Sequence, residues 1–241
     1  MDILTLWRKL KSIRARQCVL CHDSAAGVSD GLCAGCMDDL ATHFTDAANC
    51  CPLCFRRVAG GAVCGQCQQK PPPFRRLWAS AYYEAPVSSM IHEFKHLADL
   101  SLCRPLADIM IRHAPDWLVA EHIDYVLPMP LSKARRLYRG FNQSEELAAV
   151  LARHYGWTVL PRDTLVRTDK PPQSTLKSDE RQRNVRNIFK IKRTLSQNCN
   201  ILLIDDVFTT GATLGELART LKTSGAAQIF CWTLARSQLK S

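Results

Sequence analysis

Residues 201 to 213 read ILLIDDVFTTGAT. Ile201 to Ile204 have the pattern of a strand buried on both faces, and two adjacent acids and a small-residue turn follow it. Beyond the turn, Leu214, Leu217, Ala218 and Leu221 recur at helical spacing. A strand thus runs into a tight loop whose backbone N–H groups open a helix, which is a ready site for an anion. Gly211 permits close backbone approach, and Thr209, Thr210 and Thr213 offer hydroxyls. Asp205 and Asp206 stand where carboxylates accept hydrogen bonds from a sugar diol. Phosphate on one side and a diol on the other describe a ribose 5-phosphate. The carboxyl end of a central strand is where open α/β sheets bind such ligands.

A second chemistry lies near the amino end. Cys18 and Cys21, Cys33 and Cys36, Cys51 and Cys54, and Cys64 and Cys67 form four CxxC pairs. A two-residue gap aims both sulfurs at one point, and two such turns complete the four-thiolate shell that Zn²⁺ prefers. Eight cysteines therefore predict two structural zinc ions. Sequential pairing is our reading, with an interleaved one as the rival. Cys50 adjoins Cys51, but Cys51 keeps the spacing. A disulfide framework fits less well: the first sixteen residues hold no hydrophobic signal segment, and nine cysteines cannot all pair. His92-Glu93-Phe94-Lys95-His96 matches HExxH, the zinc-protease pattern. Its extended form fails, because Asp99 and Leu102 occupy the glycine and third-histidine places. Two histidines on an amphipathic helix are expected instead.

Several elements must position these groups. Helical periodicity covers 86 to 98, 102 to 114, 143 to 155 and 213 to 224. Strand-like runs cover 77 to 83, 123 to 128, 157 to 160, 200 to 205 and 228 to 234. This alternation predicts an α/β fold with an open, mainly parallel sheet. The 241 residues carry 32 Lys/Arg and 22 Asp/Glu, a net charge of +10, which makes polyanions the first partners to consider. Residues 131 to 193 hold 15 of the basic and 6 of the acidic residues, whereas nine of the 12 cysteines precede residue 68. The two anomalies fall on either side of Pro71-Pro72-Pro73. The expected organisation is an amphipathic extension at 1 to 17, a double zinc ribbon at 18 to 70, a Pro-rich linker at 71 to 76 and an α/β domain at 77 to 241. No apolar run approaches the ~20 residues of a membrane span. A cytoplasmic location is expected, and the basic face of the extension keeps peripheral contact with the inner membrane open.

The run at 201 to 213 resembles the 5-phosphoribosyl-1-pyrophosphate (PRPP) motif of type I phosphoribosyltransferases. The resemblance makes Asp205 and Asp206 ribose ligands. Val207, Phe208, Thr209, Thr210, Gly211, Ala212 and Thr213 become the 5′-phosphate loop, and Mg²⁺ bridges the pyrophosphate. By position, the basic loop after the strand ending at Pro128 would hold the pyrophosphate, with Arg135, Arg136, Arg139, Gly140, Asn142 and Gln143 as candidates. The polar stretch 167 to 187 matches the flexible catalytic loop, with Lys170, Gln173, Arg181 and Asn184 as candidates.

From the CxxC series to the 201 to 213 motif, the chain resembles the ComF/GntX family, a double zinc ribbon joined to a phosphoribosyltransferase domain. That resemblance implies a role in natural competence, in uptake or processing of single-stranded DNA, or in use of DNA as a nutrient, with single-stranded DNA and DNA-uptake proteins as partners. An active phosphoribosyltransferase of nucleobase salvage and a PRPP-sensing scaffold are the alternatives. No general acid or base stands out, and any element covering a base is expected within residues 74 to 124.

Overall fold

The computed structural model describes residues 17–23, 31–168 and 186–238. Residues 1 to 16 of the amphipathic extension, and the candidates Lys170, Gln173, Arg181 and Asn184, lie outside the described residues.

Apolar runs build a parallel four-stranded sheet. It contains β1 (Arg76–Tyr82), β2 (Tyr125–Pro128), β5 (Asn200–Phe208) and β6 (Gln228–Arg236), in the order β1-β6-β5-β2. Trp78 lies opposite Trp232, Ile204 opposite Trp232 on the other side, and Leu127 opposite Leu203. The two central strands are buried along almost their whole length, which requires cover on both faces. Helices α4 (Cys103–Arg112) and α6 (Gln143–Tyr155) pack on each other and on the sheet, and α7 (Ala212–Thr223) packs on β6. A short antiparallel pair, β3 (Leu165–Arg167) with β4 (Phe189–Ile191), stands apart from the sheet, and α7 contacts β4. Helix α3 (Val87–His92) continues directly into a π-helical turn, Glu93–Leu97.

Three expectations change in detail. The segment 157 to 160 makes one parallel bridge, Val159 to Val126, rather than a full strand. Its ladder is limited to Val126 N–H donating to Thr158 O and Leu160 N–H donating to Val126 O. The basic loop after Pro128 contains a helix, α5 (Lys133–Arg139). Ser132 caps it by accepting from Arg135 N–H, its residues are mostly good helix formers, and Gly140 ends it at φ +78°. Strand β5 runs on to Phe208, three residues past Asp205, because β6 supplies partners as far as Arg236.

The cysteine-rich segment holds α1 (Ala34–Ala41) and α2 (Gly65–Gln69). Leu32, Met37, Leu40 and Phe55 belong to the same hydrophobic cluster as the sheet. Residues 43 to 45 pair with the outer edge of β1: Tyr82 N–H donates to His43 O, Thr45 N–H donates to Ser80 O, and Phe44 bridges Ala81 antiparallel. The proline run is packed as well. Pro73 lies against Gly215 of α7, and Phe74, 5% exposed, meets Phe208 edge-on with centroids 6.5 Å apart.

Candidate functional site

Asp205 and Asp206 lie near the end of β5, at the carboxyl end of the sheet. Asp205 Oδ1 accepts from the Ser144 hydroxyl at 3.0 Å and from its neighbour's N–H at 2.9 Å. Ser144 reaches it because Asn142 caps α6: its carboxamide oxygen accepts from Ser144 N–H, and its NH₂ donates to Met129 O. Asp206 pairs with Lys95 at 2.9 Å, both side chains being mostly buried. Burial, and then the charge of Asp206, raise the Asp205 carboxyl to about 7, against the opposing influence of Lys95. A carboxylate held at such a cost is a feature of ligand sites.

These acids line a crevice of about 170 Å³ that also takes in Lys95, Arg135, Arg139 and Arg167. Arg139 donates to Gln143 Oε1 at 3.0 Å, which fixes which end of the carboxamide is oxygen. Among the described residues, Gln143 Nε2 is then left buried without a hydrogen-bond partner; the residue is 1% exposed and lines the crevice. Buried donors without acceptors are rare.

The turn after β5 runs through Thr209, Thr210 and Gly211. Gly211 has φ +74°, and a Cβ there would stand 2.5 Å from Phe208 Cζ, so only glycine fits over that ring. Val207 and Phe208 belong to the strand rather than to the turn. Thr213 lines the crevice, while Thr209 to Ala212 border a larger cleft of about 920 Å³ between α7, β4 and the cysteine-rich segment.

Not every basic-segment candidate reaches the crevice. Arg136 is drawn to Glu145, which also pairs with Arg162 at 2.9 Å. Gly140 serves as the helix end, and Asn142 as a cap. Lys95 and Arg167 were not singled out from the sequence as site residues. Lys95 sits inside the HExxH match and gives no signal of its own. The rings of His92 and His96 lie tilted to each other with centroids 4.7 Å apart, and among the described residues no third ligand joins them.

Two groups of four sulfurs form, Cys18, Cys21, Cys33, Cys36 and Cys51, Cys54, Cys64, Cys67, each with all its sulfurs within 4.8 Å of one another. The grouping is sequential. Cys21 to Cys33 measures 3.8 Å and Cys54 to Cys64 measures 3.7 Å, matching the tetrahedral edge of about 3.8 Å that a Zn–S bond of ~2.3 Å implies. Either group could hold a zinc ion closed on all four sides. Cys50 points elsewhere, its sulfur 3.2 Å from the Tyr82 hydroxyl.

Among known proteins, the chain is 32% identical over 227 residues to DNA utilization protein YhgH of Escherichia coli (strain K12), covering 91% of this chain and 96% of that protein. The chain belongs to the ComF/GntX family. Competence protein F of Haemophilus influenzae is 28% identical over 232 residues, covering 92% and 97%. Competence protein ComFC of Bacillus subtilis is 34% identical over 194 residues, 78% of each chain. No family model matches. Solved structures similar to the chain include an adenine phosphoribosyltransferase (TM-score 0.37, 16% identity, 59% of this chain and 81% of that one). Another is the allosteric regulatory enzyme of purine biosynthesis (TM-score 0.36, 17% identity, 54% and 24%). The relatives thus carry the names of DNA utilization and competence proteins. Among the described residues of this ComF/GntX chain, no helix is long and apolar enough to cross a membrane.

Proposed function

We propose that the chain is a PRPP-binding, phosphoribosyltransferase-like protein acting in DNA uptake or in the use of DNA as a nutrient. The observation that carries this reading is the make-up of the crevice. It combines two adjacent carboxylates, several cations and a buried amide donor that has no partner among the described residues. Carboxylates suit a ribose diol, and cations with a waiting N–H suit a pyrophosphate. In this reading the diol meets Asp205 and Asp206, and the pyrophosphate meets Arg135, Arg139, Arg167 and Gln143. The 5′-phosphate meets the turn Thr209 to Thr213 at the start of α7.

Mg²⁺ would arrive with the pyrophosphate, whose oxygens and bound waters supply its ligands. Among the described residues no cluster of three metal-binding side chains stands there to hold it alone. Zinc in the two sulfur groups is structural, since closed four-thiolate shells leave no position for chemistry. Single-stranded DNA and DNA-uptake proteins are the partners that the family relationship suggests. A contact with DNA phosphates requires log K to fall linearly with log salt, and a flat response removes DNA from the reading.

Calorimetric titration with PRPP and Mg²⁺, in the parent and in Asp205→Asn with Asp206→Asn, tests the ligand. Saturable binding lost in the double variant is expected; a parent that binds no PRPP refutes it. A transformation or DNA-utilisation assay of the same variant asks whether the ligand matters to DNA handling. Unchanged DNA handling would separate the two halves of the proposal.

A further inference from the structure

Arg236, the last residue of β6, is 2% exposed, and among the described residues no salt bridge joins it to a carboxylate. Its acceptors are backbone carbonyls. Nε donates to Cys54 O at 2.7 Å, and Nη1 donates to Thr209 O at 2.8 Å, to Phe208 O at 3.2 Å and to Ser237 O. The guanidinium carbon also lies 5.0 Å from the centroid of the Phe208 ring. Cys54 belongs to a CxxC turn of the second sulfur group. Phe208 and Thr209 mark where β5 becomes the turn before α7. One side chain therefore touches both the sulfur group and the turn.

The consequence for the turn follows from peptide geometry. In a trans peptide the C=O of one residue and the N–H of the next point in opposite directions. Holding the Phe208 and Thr209 carbonyls on the guanidinium turns the N–H groups of Thr209 and Thr210 away from it. Among the described residues, neither N–H donates to a backbone carbonyl of the turn, which leaves both for an anion.

The consequence for the sulfur group follows from the planar fork of arginine, which sends donors in several fixed directions at once, as a lysine cannot. Without metal, four thiols have no common centre to hold the Cys51–Cys54 turn in shape. The Cys54 carbonyl would then shift, and a buried N–H of Arg236 would lose its acceptor.

We propose that Arg236 is a positioning residue for the phosphate turn and couples metal occupancy of the Cys51, Cys54, Cys64, Cys67 group to binding of a ribose 5-phosphate ligand. This rests on the reading of the turn given under Proposed function. Linkage is reciprocal: a ligand that prefers the ordered turn must also tighten the binding of that metal. None of the Arg236 contacts reaches the first sulfur group, so that group serves as the internal control.

The test uses the full, zinc-loaded chain, with ribose 5-phosphate and PRPP as probes. Three readouts are taken: affinity by calorimetry, zinc release to a chromogenic chelator, and hydrogen exchange over residues 206 to 213. Arg236→Met, still holding two zinc ions, is expected to bind ribose 5-phosphate about tenfold or more weakly, the loss of well-aimed donors to a charged group. Arg236→Lys should fall in between. In the parent, ribose 5-phosphate should reduce the equilibrium transfer of one zinc of the two to the chelator, and in Arg236→Met of neither. Cys67→Ser should raise exchange over 206 to 213, and Cys36→Ser should not.

Parental affinity in a folded, zinc-replete Arg236→Met overturns the coupling alone. A parent that binds neither probe overturns the reading of the turn and the coupling together. Should Arg236→Met fail to fold, the parent still decides: equal zinc release with and without bound ribose 5-phosphate refutes the coupling.

Discussion

An aspartate in an unfolded chain releases its proton near pH 3.9, whereas burial and the neighbouring Asp206 hold Asp205 at about 7. Between these values the folded chain keeps a proton that the unfolded chain has lost. The stability that Asp205 contributes therefore falls as pH rises from about 4 to about 7, and stays at the lower level above that. Three units correspond to roughly 4 kcal/mol, and sharing the site with Asp206 and Lys95 reduces this to about 2–4 kcal/mol. Asp205→Asn keeps an oxygen for the Ser144 hydroxyl and the Asp206 N–H, but cannot become charged. At pH 8 it should melt on the order of 10 °C higher than the parent, at the scale of ~2–4 °C per kcal/mol for a chain of this size. The gain should shrink steadily as pH is lowered toward 5. Scanning calorimetry of both chains side by side in saturating zinc is the assay, since acid release of zinc is then common to the two. PRPP binding should be lost in the same variant. An Asp205→Asn chain that melts at or below the parent at pH 8 would refute the claim that this carboxylate is held at a cost.

Gly211→Ala should lose about 2–4 kcal/mol in denaturant titrations, from a left-handed alanine and a Cβ pressed into the Phe208 ring. It should weaken phosphate binding as well. Arg139→Leu is expected to lower PRPP affinity about tenfold and, by leaving the buried Gln143 Oε1 without its donor, to lower melting as well, whereas Arg136→Leu, which leaves Glu145 with Arg162, should spare affinity. Elemental analysis should find two zinc ions per chain, and chelation should lower the melting temperature; a third zinc would reopen the HExxH helix as a site. Lys95→Met leaves Asp206 without its cation and should weaken PRPP binding while zinc content stays at two.

The cysteine pairs and the 201 to 213 run were legible in the sequence because their chemistry is local: spacing alone aims the groups. Arg135, Arg136 and Arg139 could not be told apart by eye in what reads as a basic loop. Once α5 is a helix, residues four apart share a face, so Arg135 and Arg139 reach the crevice while Arg136, about 100° round, meets Glu145. Lys95 meets Asp206, and Arg236 meets Cys54 across 182 residues of chain; no periodicity encodes such meetings. The extension of β5 was hidden likewise, because it depends on how far β6 runs beside it.

The covered edge of β1 bears on how the chain is made. Its inner neighbour in the sheet is β6, which leaves the ribosome long after β1, with Trp78 waiting for Trp232. Its outer neighbour, residues 43 to 45, is already present when β1 emerges. A nascent strand with bare N–H and C=O groups invites pairing with other chains. The cysteine-rich segment therefore acts as a built-in escort: it occupies one side of β1 from the start and leaves only the other to be filled later. A chain shortened to residues 77 to 241 would lack that escort both during synthesis and after it.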